Sequence, residues 1–71
     1  MSKGNRYTIY AGSIAELSEA AGMVDRCMDS GTGHNEIRYR LDNGRQLGYD
    51  TGFITDKALD ELARSFCVLR D

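Results

Sequence analysis

The residue types that could carry out catalysis are few in this chain, and their spacing matches no catalytic pattern. His34 is the only histidine, and no Ser or Cys stands beside it at a spacing that would let it act as a general base. We expect it to be a solvated loop residue. The acidic residues pair at helical spacings of three or four, which is typical of a solvated helix face. The sequence therefore predicts that the protein is not an enzyme.

The cysteines and glycines do not indicate a metal or cofactor site. Cys27 and Cys67 lie far apart on two predicted helices, whereas zinc sites usually use close pairs of Cys or His. Each lies at the edge of an apolar stripe, so we expect two small buried thiols. The stretch Gly31–Gly33 follows a helix, whereas a phosphate-binding loop leads into a helix N-terminus. No metal and no cofactor is predicted.

Length and composition predict one small domain over residues 1–71. The chain is 41% hydrophobic and 28% charged, and its apolar runs are too short to span a membrane. Arg6 is followed by Tyr7 to Ala11 rather than by a long apolar segment, so no signal peptide is indicated and a cytoplasmic location is expected. The net charge of −2 does not favour nucleic acid as a partner.

The first third of the chain predicts a strand followed by a helix. Arg6–Ala11 alternates between polar and apolar residues, as a half-buried strand does. Ser13 and Glu16 form a capping-box pattern, so the helix should begin at Ser13, with Gly31 as its C-cap. The apolar stripe of this helix covers about half of its circumference and consists of Ile14, Leu17, Ala20, Ala21, Met23, Val24, Cys27 and Met28.

The middle of the chain predicts a β-hairpin. Glu36–Leu41 and Arg45–Asp50 both alternate, and the turn sequence Asp42–Gly44 lies between them. Thr51 and Gly52 are interpreted as a turn that ends the second strand.

The register of this hairpin depends on the length of its loop. A three-residue loop needs a left-handed residue at its end, and Gly44 can adopt that conformation. This loop pairs Leu47 with Tyr39 and Tyr49 with Ile37, so that Leu47 and Tyr49 point into the core. A two-residue loop would pair these apolar residues with arginines and mix the two faces. The longer loop is therefore favoured.

The last third of the chain predicts a second helix that begins after Thr55 as its N-cap. Val68 does not fit the helical pattern, since it would point to water if the helix ran to the end of the chain. Either the chain leaves the helix near Phe66 or a partner covers Val68. We favour a continuous helix, because no turn residue precedes residues 66–70. Its apolar stripe consists of Leu59, Leu62, Phe66 and Leu69.

The resulting element order is β-α-β-β-α. It predicts an α+β fold in which a three-stranded sheet carries both helices on one face. This is the element order of a ferredoxin-like fold that lacks its last strand. A strand at residues 66–70 would complete that fold.

The predicted sheet face away from the helices is the main candidate for binding. It presents Tyr10 among arginines, a composition found in protein interfaces and in base-stacking platforms, although such a face can also be merely solvated. A second candidate is the apolar arc of the first helix, where Ala20, Met23 and Cys27 would form a docking strip. The predicted partner-binding residues of the sheet face, placed around Gly48, are Arg6, Tyr10, Arg38, Arg40 and Gln46.

These features together predict a non-catalytic protein-binding module, such as a small inhibitor, adaptor or regulator that docks on a partner protein. In size and composition the chain resembles, in general style, the accessory proteins of phages and mobile elements, including anti-CRISPR inhibitors. The alternative is a small nucleic-acid-binding domain that uses the same Arg and Tyr residues. A homodimer formed through the second helix or through an open sheet edge is compatible with the first interpretation.

Overall fold

A computed structural model describes residues 5–28 and 35–70, which form two helices and a four-stranded mixed sheet. The strands lie in the order β3-β2-β1-β4; β1 and β2 are parallel, and each edge strand is antiparallel to its neighbour. The α+β class is confirmed, but the sheet has four strands and not three. Along the chain the elements are β1 (Arg6–Ala11), α1 (Ile14–Cys27), β2 (Asn35–Leu41), β3 (Gln46–Gly52), α2 (Asp56–Ser65) and β4 (Cys67–Arg70).

The fourth strand accounts for the misfit of Val68. Phe66 adopts an extended backbone (φ −134°, ψ 160°) and ends α2. From Cys67 onward the chain pairs with β1, and Val68 lies opposite Ile9 and packs against the core. Leu69 consequently turns to the other face of the sheet, where it is 52% exposed. The predicted continuous helix is wrong, because strand alternation buries Val68 and pairing satisfies the open edge of β1.

The strand order also departs from the ferredoxin-like prediction. With β4 the element order is that of the complete ferredoxin-like fold, in which another strand separates the two parallel strands of the βαβ unit. Here β1 and β2 are direct neighbours and β3 lies at the edge. In the described part of the chain α1 packs on β1 and β2, α2 packs on β4, and neither helix packs on β3.

Both helices lie on the same face of the sheet, as predicted, and share one hydrophobic core with it. The alternate residues of β1 and β2 that point to this face are buried, and the residues between them point to the other face. Ile54, which precedes α2, is buried and belongs to the same core. The buried core residues are Tyr7, Ile9, Ala11, Leu17, Ala20, Val24, Ile37, Tyr39, Ile54 and Leu62.

The first helix begins where its capping residue predicts and ends earlier than expected. The Ser13 hydroxyl accepts a hydrogen bond from the Glu16 backbone N–H at 3.2 Å. The helix ends at Cys27, with Met28 as its C-cap, so the predicted cap at Gly31 is wrong; Gly31 itself lies outside the described residues. Within those residues neither helix is long and apolar enough to cross a membrane.

The loop of the β2–β3 hairpin has the predicted three-residue form. Gly44 has a positive φ of 94°, and its N–H donates to the carbonyl of Leu41 at 2.8 Å. The N–H of Leu41 in turn donates to the carbonyl of Arg45 at 2.9 Å. At the other end of the hairpin, Thr51 and Gly52 continue β3 and do not form the expected turn, because they still pair with β2.

A bulge in β3 changes which side chains face the helices. Leu47 has no partner on β2, and the register shifts by one residue from this point onward. Tyr49 therefore pairs with Arg38 and points away from the helices, while Asp50 takes the position on the helix side. Gly48 also lies on the helix side, opposite to its predicted orientation. The predicted inward Tyr49 is wrong, because the bulge adds Leu47 next to a glycine, Gly48, and glycines in strands often mark bulges.

The position of β4 predicts that introducing a charged side chain at two adjacent positions lowers the stability by very different amounts. Val68→Asp should lower the free energy of unfolding by more than about 2 kcal/mol, because it places a carboxylate against the core. Leu69→Asp should cost no more than about 0.5 kcal/mol, since its side chain is exposed. Urea unfolding followed by circular dichroism measures both values. A larger cost for Leu69→Asp would contradict the strand and support a continuous helix.

Candidate functional site

The face of the sheet away from the helices is formed by side chains from all four strands, and we call it the outer face. One cross-strand row contains Leu69, Thr8, Arg38 and Tyr49, and the next contains Cys67, Tyr10, Arg40 and Gln46. Because neighbouring strands are about 4.8 Å apart, each row is about 14 Å long. A third row consists of Arg6, Glu36 and Thr51. No described helix covers this surface.

All five predicted binding residues lie on the outer face. Tyr10, Arg40 and Gln46 share one row, while Arg38 and Arg6 occupy the two rows that follow. The structure therefore brings these side chains together, as the alternation of β1 and β2 predicts. Their role in binding stays a prediction.

The carboxylate of Glu36 lies between two arginines of the outer face. Its Oε2 is 3.7 Å from Nε of Arg6, and its Oε1 is 3.6 Å from Nη2 of Arg38. All three side chains are partly exposed, so each ion pair contributes at most about 1 kcal/mol to stability. The pairs hold the two guanidinium groups beside each other. Three arginines against one carboxylate leave the outer face with an excess of positive charge.

Arg40 is the least well satisfied polar side chain of the outer face. Its Nη2 donates a long hydrogen bond of 3.4 Å to Oε1 of Gln46. Its Nε is buried and has no hydrogen-bond partner among residues 5–28 and 35–70. A buried donor without an acceptor costs about 1–3 kcal/mol. The exposed Nη2, which makes only the long hydrogen bond to Gln46, is the atom of Arg40 that a carboxylate of an incoming molecule could bind.

Two exposed apolar side chains of the outer face are missing from the sequence prediction. Tyr49 is 63% exposed and Leu69 is 52% exposed. The sequence places both on the core side, because strict alternation turns Tyr49 inward and helical spacing adds Leu69 to the apolar stripe. The signals that point to their true position are Gly48, a glycine within a strand that suggests a bulge, and the misfit of Val68.

The predicted burial of the two cysteines and the predicted docking strip on α1 are both wrong. Cys27 and Cys67 are exposed and not buried. Cys27 is the last residue of α1, and Cys67 lies on β4, where it pairs with Tyr10 on the outer face. The docking strip on α1 does not form either, because Ala20 is fully buried and Met23 packs against the core.

The helix side of β3 borders a groove of about 410 Å³ that lies against α1. At its floor the hydroxyl of Tyr39 donates a hydrogen bond of 2.6 Å to Oδ2 of Asp50. Burial raises the pKa of the Tyr39 hydroxyl, and the hydrogen bond to Asp50 raises it further. The bulge creates this contact, since it turns Asp50 toward the helices.

Other candidate groups contribute no site in the described residues. His34 lies outside these residues. Within residues 5–28 and 35–70, no three His, Cys, Asp or Glu side chains are grouped in a way that could hold a metal ion. Comparison with protein-family models, with curated proteins and with solved structures finds no match to the chain. What the protein does must therefore be inferred from its own surfaces.

The contact between Tyr39 and Asp50 predicts a loss of stability in alkaline solution. The folded protein holds the Tyr39 proton more tightly than the unfolded chain, whose tyrosine pKa is about 10. This stabilisation is complete below about pH 10 and is lost as the pH rises above it. In urea unfolding across this range, Tyr39→Phe should lose less stability than the wild type.

Tyr49→Phe is the matched control, because it removes an exposed hydroxyl from the same hairpin. It should follow the wild type as the pH rises. Equal losses in Tyr39→Phe and the wild type would contradict the assignment.

Proposed function

We propose that the protein is a non-catalytic binding module whose outer face docks on an acidic surface of a partner protein. The observation that carries this proposal is the placement of three arginines, two tyrosines and an exposed leucine side by side on a sheet face that no described helix covers. Tyr and Arg are the residue types that most often dominate the binding energy of protein interfaces. A module of this kind acts as an inhibitor, adaptor or regulator by occupying a surface of its partner.

The charge of the outer face favours a partner rich in carboxylates. The three arginines face a single carboxylate there, whereas the two helices on the other side carry six carboxylates and three basic residues. A guanidinium group binds a carboxylate through two parallel hydrogen bonds, which gives both strength and orientation. Opposite charges across an interface also accelerate association and disfavour wrong partners.

Arg40 and Tyr10 are the expected anchors of this interface. Both are half-buried at the centre of the sheet, so their side chains are already ordered and lose little entropy on binding. A partner carboxylate could also bind the guanidinium of Arg40, whose Nη2 makes only a long hydrogen bond to Gln46 in the described residues. Tyr49 and Leu69 at opposite ends of one row would provide the apolar contacts around these anchors.

A nucleic-acid-binding role is the alternative for the same face. The exposed ring of Tyr49 beside Arg38 could stack on a base. The overall negative charge of the chain is unfavourable for this role. A cytoplasmic location, a phage or mobile-element setting and a homodimer stay predictions from the sequence.

The proposal predicts that outer-face substitutions abolish partner capture without unfolding the protein. Arg40→Ala and Tyr10→Ala should each weaken binding of a protein captured from the native host by about tenfold or more, because both remove central contacts. Affinity capture with mass spectrometry identifies the protein, and calorimetry with the purified pair measures affinity. The melting temperature should change little.

Arg64→Ala is the matched control, because it removes an arginine from α2 on the opposite side. It should bind as the wild type does. Glu36→Gln frees two arginines and should tighten binding to an acidic partner. Capture that survives both outer-face substitutions would contradict the proposal. Binding of labelled single-stranded RNA or DNA that weakens steeply with salt, measured by fluorescence anisotropy, would favour the alternative.

A further inference from the structure

The groove between α1 and β3 is a second concave surface, on the opposite side of the sheet from the outer face. It exists because α1 packs on β1 and β2, so that neither described helix covers the helix side of β3. Its walls carry two apolar side chains that the fold leaves in water. Ile14 at the start of α1 is 61% exposed, although it belongs to the apolar stripe of the helix, and Leu47 on the bulge of β3 is 38% exposed.

The two ends of the groove differ in polarity. α1 crosses back from β1 to the parallel β2, and β3 is antiparallel to β2, so α1 and β3 run in the same direction along the groove. Of the lining residues, Ile14, Leu17 and Leu47 therefore lie toward one end. Asp25 and Asp50 lie toward the other end. No basic side chain lines the groove in the described part of the chain. In that part the hydroxyl of Tyr39 donates to Oδ2 of Asp50, and Oδ1 is available to a further donor. An occupant with an apolar group and a positive charge would complement both ends.

We propose that this groove binds an extended peptide segment of a partner protein that carries an apolar side chain and, two or four residues away, a lysine or arginine. The apolar side chain lies against Leu17, Leu47 and the exposed Ile14. The basic group lies against Asp25 and Asp50. None of the five predicted binding residues of the outer face lines this groove, so this site and the proposed function can fail separately.

The spacing of the two side chains follows from the length of the groove. Leu47 and Asp50 are three residues apart on a strand, or about 10 Å. On the helix, Leu17 and Asp25 are eight residues apart, or about 12 Å. In an extended peptide, side chains on one face recur about every 7 Å. Positions two residues apart are therefore closer together than the roughly 10–12 Å between the ends of the groove, and positions four residues apart, at about 14 Å, are farther apart. The flexible side chain of a lysine or arginine can make up the difference between the spacing in the peptide and the distance between the two ends of the groove.

The edge position of β3 favours an extended segment. Among residues 5–28 and 35–70, β3 is paired only with β2. No described strand occupies its other edge, which could form main-chain hydrogen bonds of the kind that bound peptide strands form. Gly48 lies on the groove floor between the two ends, and a Cβ placed there would meet no atom within 4 Å. The floor is therefore open enough for a peptide backbone to lie close to β3.

Selection of peptides from a random library tests this proposal. Displayed peptides of about seven residues, long enough to span the groove, are selected on the wild-type protein at low salt. Peptides that bind the wild type should be enriched in an apolar residue with a lysine or arginine two or four positions away. Synthetic peptides with these sequences are then titrated by fluorescence polarisation.

Two independent variants remove the site in different ways. Gly48→Val fills the groove floor with a strand-favouring side chain, and it should weaken binding of these peptides by about tenfold or more. Asp25→Asn removes an exposed charge without touching the core, and it should weaken binding by about threefold and reduce the salt dependence. Thr51→Val on β3 and Arg40→Ala on the outer face are the controls, and both should bind as the wild type does.

Several results would overturn the proposal. Peptides that are acidic, or peptides equally bound by the wild type, Gly48→Val and Asp25→Asn, would place the binding elsewhere. Failure to enrich any peptide would show that the groove does not bind an extended segment. A dimer in sedimentation that dissociates in Gly48→Val would show that a second copy of the chain fills the groove. Unchanged peptide binding in Arg40→Ala separates this site from the outer face.

Discussion

The structure depends on the central strand β1 being paired along both of its edges. Ile9 is fully buried on the helix side, and Thr8 is buried on the outer face even though no described helix covers that face. A strand buried in this way must satisfy its backbone polar groups on both edges. Parallel pairing with β2 through α1 satisfies one edge, and the return of the chain as β4 satisfies the other. The outer face and the groove against β3 both follow from this arrangement.

The parts of the fold that local signals specify could be predicted from the sequence. The sequence correctly predicts the bounds of β1, the capping residues Ser13 and Thr55, and the left-handed Gly44. Each of these features depends on residues close in the chain. The bulge in β3 could not be placed, since one inserted residue leaves the local composition unchanged and inverts every later side chain. The five predicted residues of the outer face all precede the bulge in the chain, so the sequence predicts their orientation correctly. Tyr49 follows the bulge, so the sequence predicts the wrong face for it.

The last strand shows a different limit of sequence interpretation. Residues 59–69 satisfy a helical stripe, and only Val68 conflicts with it. Residues 67–70 form a strand because they pair with β1, which lies about sixty residues earlier in the chain. A short apolar segment has no preference strong enough to reveal such a distant contact. The exposed Leu69 of the outer face could not be found without it.

The pairing of β1 with β4 also constrains how the molecule can assemble. It brings Asn5 and Arg70 into contact, with the Arg70 Nη2 donating to the Asn5 Oδ1 at 2.8 Å. Contacts so distant along the chain are slow to form, because a long loop must close before any interaction rewards it. During synthesis, residues 5–65 leave the ribosome with one edge of their central strand unsatisfied. That edge is a template for other nascent chains, so this protein is most vulnerable to aggregation in the interval before residues 67–70 emerge.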